Sequence, residues 1–214
     1  VNYNRDVEIF PVLNAMFRQI YGESPYKSPT DMGVNMAGNC ITDDEVCCEA
    51  SRQEIIRRYY AAMCSARQGM SDSRPAEKIK LLINQLGITV KDRPVIDAAV
   101  ARAEQTGEPA AAIQLPDGGI VTGKTTKLLG ASAAVLLNAL KRLGGIQKDM
   151  HLISPIVIEP IQDLKVNHLG NHNPRLHMDE VLIALSISAA TNPTAEVAMR
   201  QLDKLRGCEA HSTV

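Results

Sequence analysis

Gly118 to Thr125 (GGIVTGKT) has the spacing of a phosphate-binding loop: Gly, four residues, Gly-Lys and a hydroxyl residue. In a nucleotide site of that kind, backbone N–H groups cradle the phosphates, Lys124 reaches the terminal phosphates and Thr125 holds magnesium. Such a loop needs a strand before Gly118 and a helix starting near Lys124. The neighbouring residues favour something else. Pro116 suits the first central position of a type I turn, and the Gly after Asp117 suits the left-handed bulge position. Ile120 and Val121 are β-branched and natural to a returning strand. Gly130 interrupts any helix launched at Lys124, and no later apolar strand ends in an Asp to support magnesium. The string is expected to form a hairpin, with an ATP-binding phosphate loop as the weaker alternative.

Three polar strings mark where a ligand would sit. Lys27, Ser28, Thr30, Asp31 and Asn35 share one loop; Thr122, Lys124 and Thr125 lie at a strand end; His211, Ser212 and Thr213 lie on or beyond the last strand. Hydroxyls, a lysine and helix N-termini converging near strand ends favour an anionic ligand. Each string also has the commoner work of capping and turning. His168, His172 and His177 would bring three imidazoles to zinc only by loop rearrangement, with no Cys or carboxylate in ligand register. Cys47 and Cys48 are adjacent on a helix and diverge, so no structural metal is expected. Gly130 to Ala134 holds small residues that permit close approach, and Ser132 there reads as a cap rather than a nucleophile. No catalytic residue is assigned, because no zinc-protease motif or Ser/His/Asp arrangement is visible.

The elements that carry these groups follow from periodicity. Asp6 to Ile20 has a helical apolar face, and Tyr21 to Asn39 reads as a long loop. Thr42 to Glu45 reads as a capping box with Ile41 and Val46 as its staple, opening a helix to Gln68. Helices are also expected over Ser73–Leu86, Val95–Gln105, Ala131–Leu143 and Leu176–Thr191. Asn192-Pro193 starts another, which ends at Gly207. Strands are expected over Ala111–Leu115, Ile120–Thr122, His151–Ile158 and Cys208–Val214. The domains are a helical one over 1–107 and an α/β one over 108–214, with at least partly parallel pairing.

The formal charge of −1 over 214 residues gives no net attraction for nucleic acid or an anionic membrane. No apolar run approaches the roughly 20 residues of a membrane span. Five cysteines without framework spacing suggest reduced thiols and a cytoplasmic protein. The chain starts without Met and reads as a piece of a longer protein.

The strings VNYNRD, YKSPTDMGVN, QEIIRRYY, LPDGGIVTGK, GASAA, HLISP, LIALSISAATNPTAE and GCEAHST resemble the bacterial DUF1846 family, also called UPF0371, over essentially the whole chain. The resemblance implies a parent about twice as long, of which this is the middle and C-terminal portion, without an N-terminal α/β domain bearing its own Gly-rich string. It implies a helical domain followed by a three-layer α/β subdomain with cytidine-deaminase-like topology. Some family members carry an ATP-dependent peptidase label, so the resemblance adds an ATP-dependent peptidase, beside a P-loop NTPase through Gly118–Thr125, as a weaker alternative. Ala131 to Ala134 falls where deaminases place a metal-binding Cys or His and a catalytic Glu, so zinc chemistry does not transfer with the fold. The expected function is part of a nucleotide- or anionic-metabolite-binding enzyme, with ATP as a cofactor of the full-length protein. Lys27, Thr30, Asp31, Asn35 and Lys124 would help to line its site, and the rest of its own longer chain would be its partner. The alternative is a non-catalytic scaffold that homo-oligomerises through Ala131–Leu143 and Leu176–Thr191.

Overall fold

The computed structural model describes residues 3–36 and 41–213, without the side chains of Tyr3, Asn35 and Met36. These residues form two compact units, one ending at Arg93 and the other beginning at Pro94. The first unit holds α1 (Tyr3–Tyr21), α2 (Pro29–Met36), α3 (Asp44–Arg67) and α4 (Arg74–Gln85). It buries Phe10, Met32, Ile55, Ile56, Leu82 and Ile83.

The helix α2 lies where a loop is expected. Ser28 caps it by accepting from the Asp31 N–H at 3.0 Å, and Pro29 brings its fixed φ to the first helical position. The start of α3 is also displaced. Asp43, rather than Thr42, is its cap and accepts from the Val46 N–H at 3.0 Å. Val46 is exposed, so no staple forms. Pro11 lies well inside α1, because the helix begins at Tyr3 instead of just before the proline.

The second unit opens with α5 (Pro94–Thr106), followed by the hairpin strands β1 (Ala110–Gln114) and β2 (Ile120–Lys124). Helix α6 (Ala131–Leu143) comes next, then α7 (Pro155–Asp163), α8 (Met178–Ala189), α9 (Pro193–Met199) and β3 (Ala210–Ser212). The sheet order is β2-β1-β3 and both pairings are antiparallel. Among the described residues, the expected parallel pairing is reduced to one bridge outside the strands, Leu129 with Leu176.

Alternation along β1 makes the unit three layers deep. Ala111, Ile113 and Leu115 pack on Ala131, Val135 and Ala139 of α6, while Ala112 points the other way onto Val95 and Ala99 of α5. Contacts therefore group α5 with the sheet, although sequence places it with the helical half and the boundary near Gly107. Beyond α6, a second core joins Leu136 and Leu140 to Leu152, Ile158, Leu176, Val181, Leu185 and Ala198.

The strand expected over His151–Ile158 is instead helix α7. Ser154-Pro155 is a helix start, with Pro155 in the first turn, and it outweighs the strand preference of Ile156-Val157-Ile158. Leu164–His168 then widens into a π-type turn. Asn192 does cap α9, accepting from the N–H groups of Thr194 (3.0 Å) and Ala195 (3.4 Å). That helix ends at Met199, short of Gly207, with a 3₁₀ turn at Leu202–Leu205 between them. Among the described residues, no helix is long and apolar enough to cross a membrane.

Candidate functional site

Gly118 to Thr125 forms a turn and a strand. Gly118 sits at φ +79 in the turn, with its N–H on the Leu115 carbonyl, and Ile120 to Lys124 pairs with Gln114 to Ala110. Gly123 is needed for a different reason. A Cβ there would lie 2.3 Å from the Val135 backbone nitrogen, so the strand and α6 touch through backbone. Gly118 and Gly123, the two glycines that set the phosphate-loop spacing, thus have structural work, and Lys124 continues the strand where that loop would need a helix.

The hairpin and β3 nevertheless bring polar groups to one end of the sheet. The Thr125 N–H donates to the Pro109 carbonyl at 2.7 Å, and Ala111 is in register with Ser212. Beyond that end, the segments entering α6 and α8 run side by side. The Gly130 N–H donates to the Leu176 carbonyl at 3.1 Å, and the Leu176 N–H to the Leu128 carbonyl at 2.9 Å. The parallel bridge therefore starts two helices next to each other. Their N-termini open on one cleft of about 620 Å³, lined by Thr125, Ala131 to Ala133, Arg175, His177, Asp179 and Ser212 among others.

The cleft is rich in unused donors. Gly130 caps α6 in extended conformation and has no side chain with which to cap. The N–H groups of Ala131, Ser132 and Ala133 accordingly have no acceptor among the described residues. Thr125 is 8% exposed and its hydroxyl has no hydrogen-bond partner among those residues, yet the oxygen is not sealed into the core. Thr125 is thus a largely buried residue whose unpaired hydroxyl, beside free amides, is open to a ligand or water.

Arg175 is held in place. Its Nε donates to the Thr126 carbonyl at 2.9 Å, leaving both terminal nitrogens without an acceptor among the described residues. Its carbonyl accepts from the Lys165 ammonium at 2.7 Å. Lys165 is buried in the π-type turn and also reaches Glu180 Oε2 at 2.8 Å. The same oxygen accepts from the His177 N–H at 2.7 Å, capping α8. Burial pushes the Glu180 carboxyl up, but the Lys165 and His177 hydrogen bonds and nearby positive charge hold it below its ordinary value.

Of the residues expected to bind a ligand, Thr125 lines this cleft. Thr122 and Lys124 lie in β2 and do not line it, and the Thr122 carbonyl accepts from Asn138 Nδ2 at 3.0 Å. The others belong to the first unit. Lys27 pairs with Asp44 at 2.6 Å, a hydrogen bond that, with the charge behind it, raises the ammonium pKa. Ser28 caps α2, Asp31 Oδ2 accepts from the Lys27 N–H at 2.7 Å, and Thr30 Oγ1 accepts from Ser51 at 2.6 Å. Asn35 lies in α2, and its side chain is outside the described residues. Arg175 and Asp179 carry no sequence signal beyond a polar loop and a helix start.

A larger hollow of about 890 Å³ lies in the first unit between α1, α3 and α4. Its cations are engaged: Arg58 with Glu54 and Lys78 with Glu8. Size favours that hollow, but the unpaired donors favour the second-unit cleft as the site of chemistry.

The second unit is thus a three-layer helix–sheet–helix protein module with a donor-rich cleft at one sheet end. The chain belongs to the DUF1846 family: residues 91–214 match the domain described as "Domain of unknown function DUF1846, C-terminal", and residues 1–87 match its N-terminal counterpart. A UPF0371 protein of Corynebacterium urealyticum is 56% identical over 99% of the chain. One from Streptococcus thermophilus is 58% identical over the whole chain, and one from Streptococcus pyogenes 56%. In each case the chain spans 43% of the relative's length.

Proposed function

We propose that the second unit binds a small anionic metabolite in the cleft at the N-termini of α6 and α8, as part of a metabolite-binding enzyme. One observation carries this reading: the free amides of Ala131 to Ala133, the unpaired hydroxyl of the largely buried Thr125 and the Arg175 guanidinium line the same cleft. Helix N-termini carry partial positive charge, and amides already oriented there bind an anion with little reorganisation. A deaminase-like chain layout is part of the proposal, supported by a hairpin followed by a helix across the sheet. No deaminase chemistry goes with it, since the first turn of α6 is Ala-Ser-Ala-Ala.

The test is Gly130→Asp. Gly130 has the extended backbone of a cap, and a Cβ there would meet only the Leu176 carbonyl oxygen, at 3.7 Å. The new carboxylate would accept from the α6 amides and occupy the anion's place. Stability is expected to hold or rise by a few tenths of a kcal/mol in thermal unfolding, since Gly is itself a tolerated cap, while binding of inorganic phosphate in calorimetry is lost. Phosphate binding that survives Gly130→Asp would sink the reading. Separately, Arg175→Ala should weaken phosphate roughly tenfold or more. Lys124→Ala, outside the cleft, should change it less than about twofold.

A further inference from the structure

Asp179 is the discordant member of the cleft. It is the second residue of α8, is exposed, lines the cleft, and has no hydrogen bond or ion pair among the described residues. Its position in the first turn suits the helix dipole. In a cleft that offers donors to an anion, however, it opposes any second negative charge brought near it. The cleft is therefore two-sided. Amides, the Thr125 hydroxyl and Arg175 serve one anionic group, while Asp179 can only accept hydrogen bonds.

Resting on the anion reading above, we propose that the ligand is a monophosphorylated polyol. Its phosphate would lie on the Ala131–Ala133 amides, and a ligand hydroxyl would donate to Asp179. Ser132 and Ser212 also line the cleft and suit hydroxyl groups, because each can both donate and accept. A polyphosphate tail would bring further charge toward Asp179. A nucleoside base would find no Phe, Tyr or Trp among the lining residues, whose one aromatic ring is the His177 imidazole, already 3.2 Å from Asn173 Nδ2. A free amine is disfavoured by Arg175 alongside.

Calorimetry of the full chain with inorganic phosphate, ribose 5-phosphate, ribose and ATP tests the assignment. Ribose 5-phosphate is expected to bind about tenfold or more tighter than inorganic phosphate, the effect of one hydrogen bond to a charged group. Ribose and ATP should bind more weakly than ribose 5-phosphate. Asp179→Ala should erase the margin over inorganic phosphate without weakening inorganic phosphate itself, and Asp179→Asn, which keeps an acceptor, should restore part of it. Equal binding of phosphate and ribose 5-phosphate, a margin that survives Asp179→Ala, or tighter binding of ATP would overturn the polyol assignment while leaving the anion site standing. Failure of both phosphate and ribose 5-phosphate to bind would overturn the anion site as well.

Discussion

Gly123→Ala is expected to destabilise the second unit severely and abolish its cleft. The added Cβ would lie 2.3 Å from the Val135 nitrogen, 2.6 Å from Val135 Cα and 2.7 Å from the Ala134 carbonyl carbon. All three are backbone atoms of α6, so no side chain can rotate away. The helix must retreat, and it is held from behind by Leu136 and Leu140 in the core it shares with α7, α8 and α9. Overpacking in a core costs typically about 1–3 kcal/mol, and this case belongs at or above the upper end. A retreat of α6 would also carry the Ala131–Ala133 amides away from Thr125. Gly118→Ala is the control. Gly118 has φ +79, and a methyl added there would meet nothing within 4 Å. Its cost is the left-handed backbone penalty of about 1 kcal/mol, with the cleft unchanged. Urea unfolding of the two variants, with phosphate titration, separates them. A wild-type midpoint for Gly123→Ala would mean that β2 and α6 do not meet as described.

That contrast shows why the Gly118–Thr125 string is legible as a hairpin and illegible as a packing motif. The turn residues and β-branched pair act locally, and local chemistry is written in adjacent residues. The need for Gly123 arises from α6 crossing the strand, a contact no spacing rule encodes. The two segments that fold as unexpected helices share one start signal. Ser28-Pro29 and Ser154-Pro155 each place Pro at the first helical position, yet the Gly and Asn around the first and the β-branched run after the second mask it in the sequence. At the site, convergence of hydroxyls and helix N-termini near strand ends is foreseeable. Thr125 and Ser212 come from two of the polar strings, and the expected bounds of α6 are the observed ones. Arg175 is not foreseeable, since its hold on the Thr126 carbonyl joins residues 49 positions apart.

Lys165→Met is expected to be the most damaging single change to a charged residue of the second unit. Lys165 Nζ ties two pieces of the cleft wall together, the Arg175 carbonyl and the Glu180 carboxylate that caps α8. Removing one partner of a buried pair costs about 3–5 kcal/mol when the other is sealed in. Glu180 keeps 28% of its side chain exposed, so the loss should fall below that range. Lys165→Met with Glu180→Leu should recover most of it, because no lone charge remains and the released His177 N–H and Arg175 carbonyl belong to exposed residues that water can reach. The pH dependence identifies the pair. The folded protein holds Glu180 below its ordinary 4.5, so this group's contribution is fully present above that pH and is lost as pH falls through the lowered value. In Lys165→Met the main lowering partner is gone and burial pushes the carboxyl up. The stability gap between wild type and variant should therefore be widest near neutrality and narrow in acid, where Glu180 is protonated in both. Urea midpoints measured from about pH 3 to pH 7 read this directly. A gap that stays constant across that span would show that the loss does not run through Glu180, leaving the bond to the Arg175 carbonyl, which does not titrate there, and the packing of the Lys165 stem.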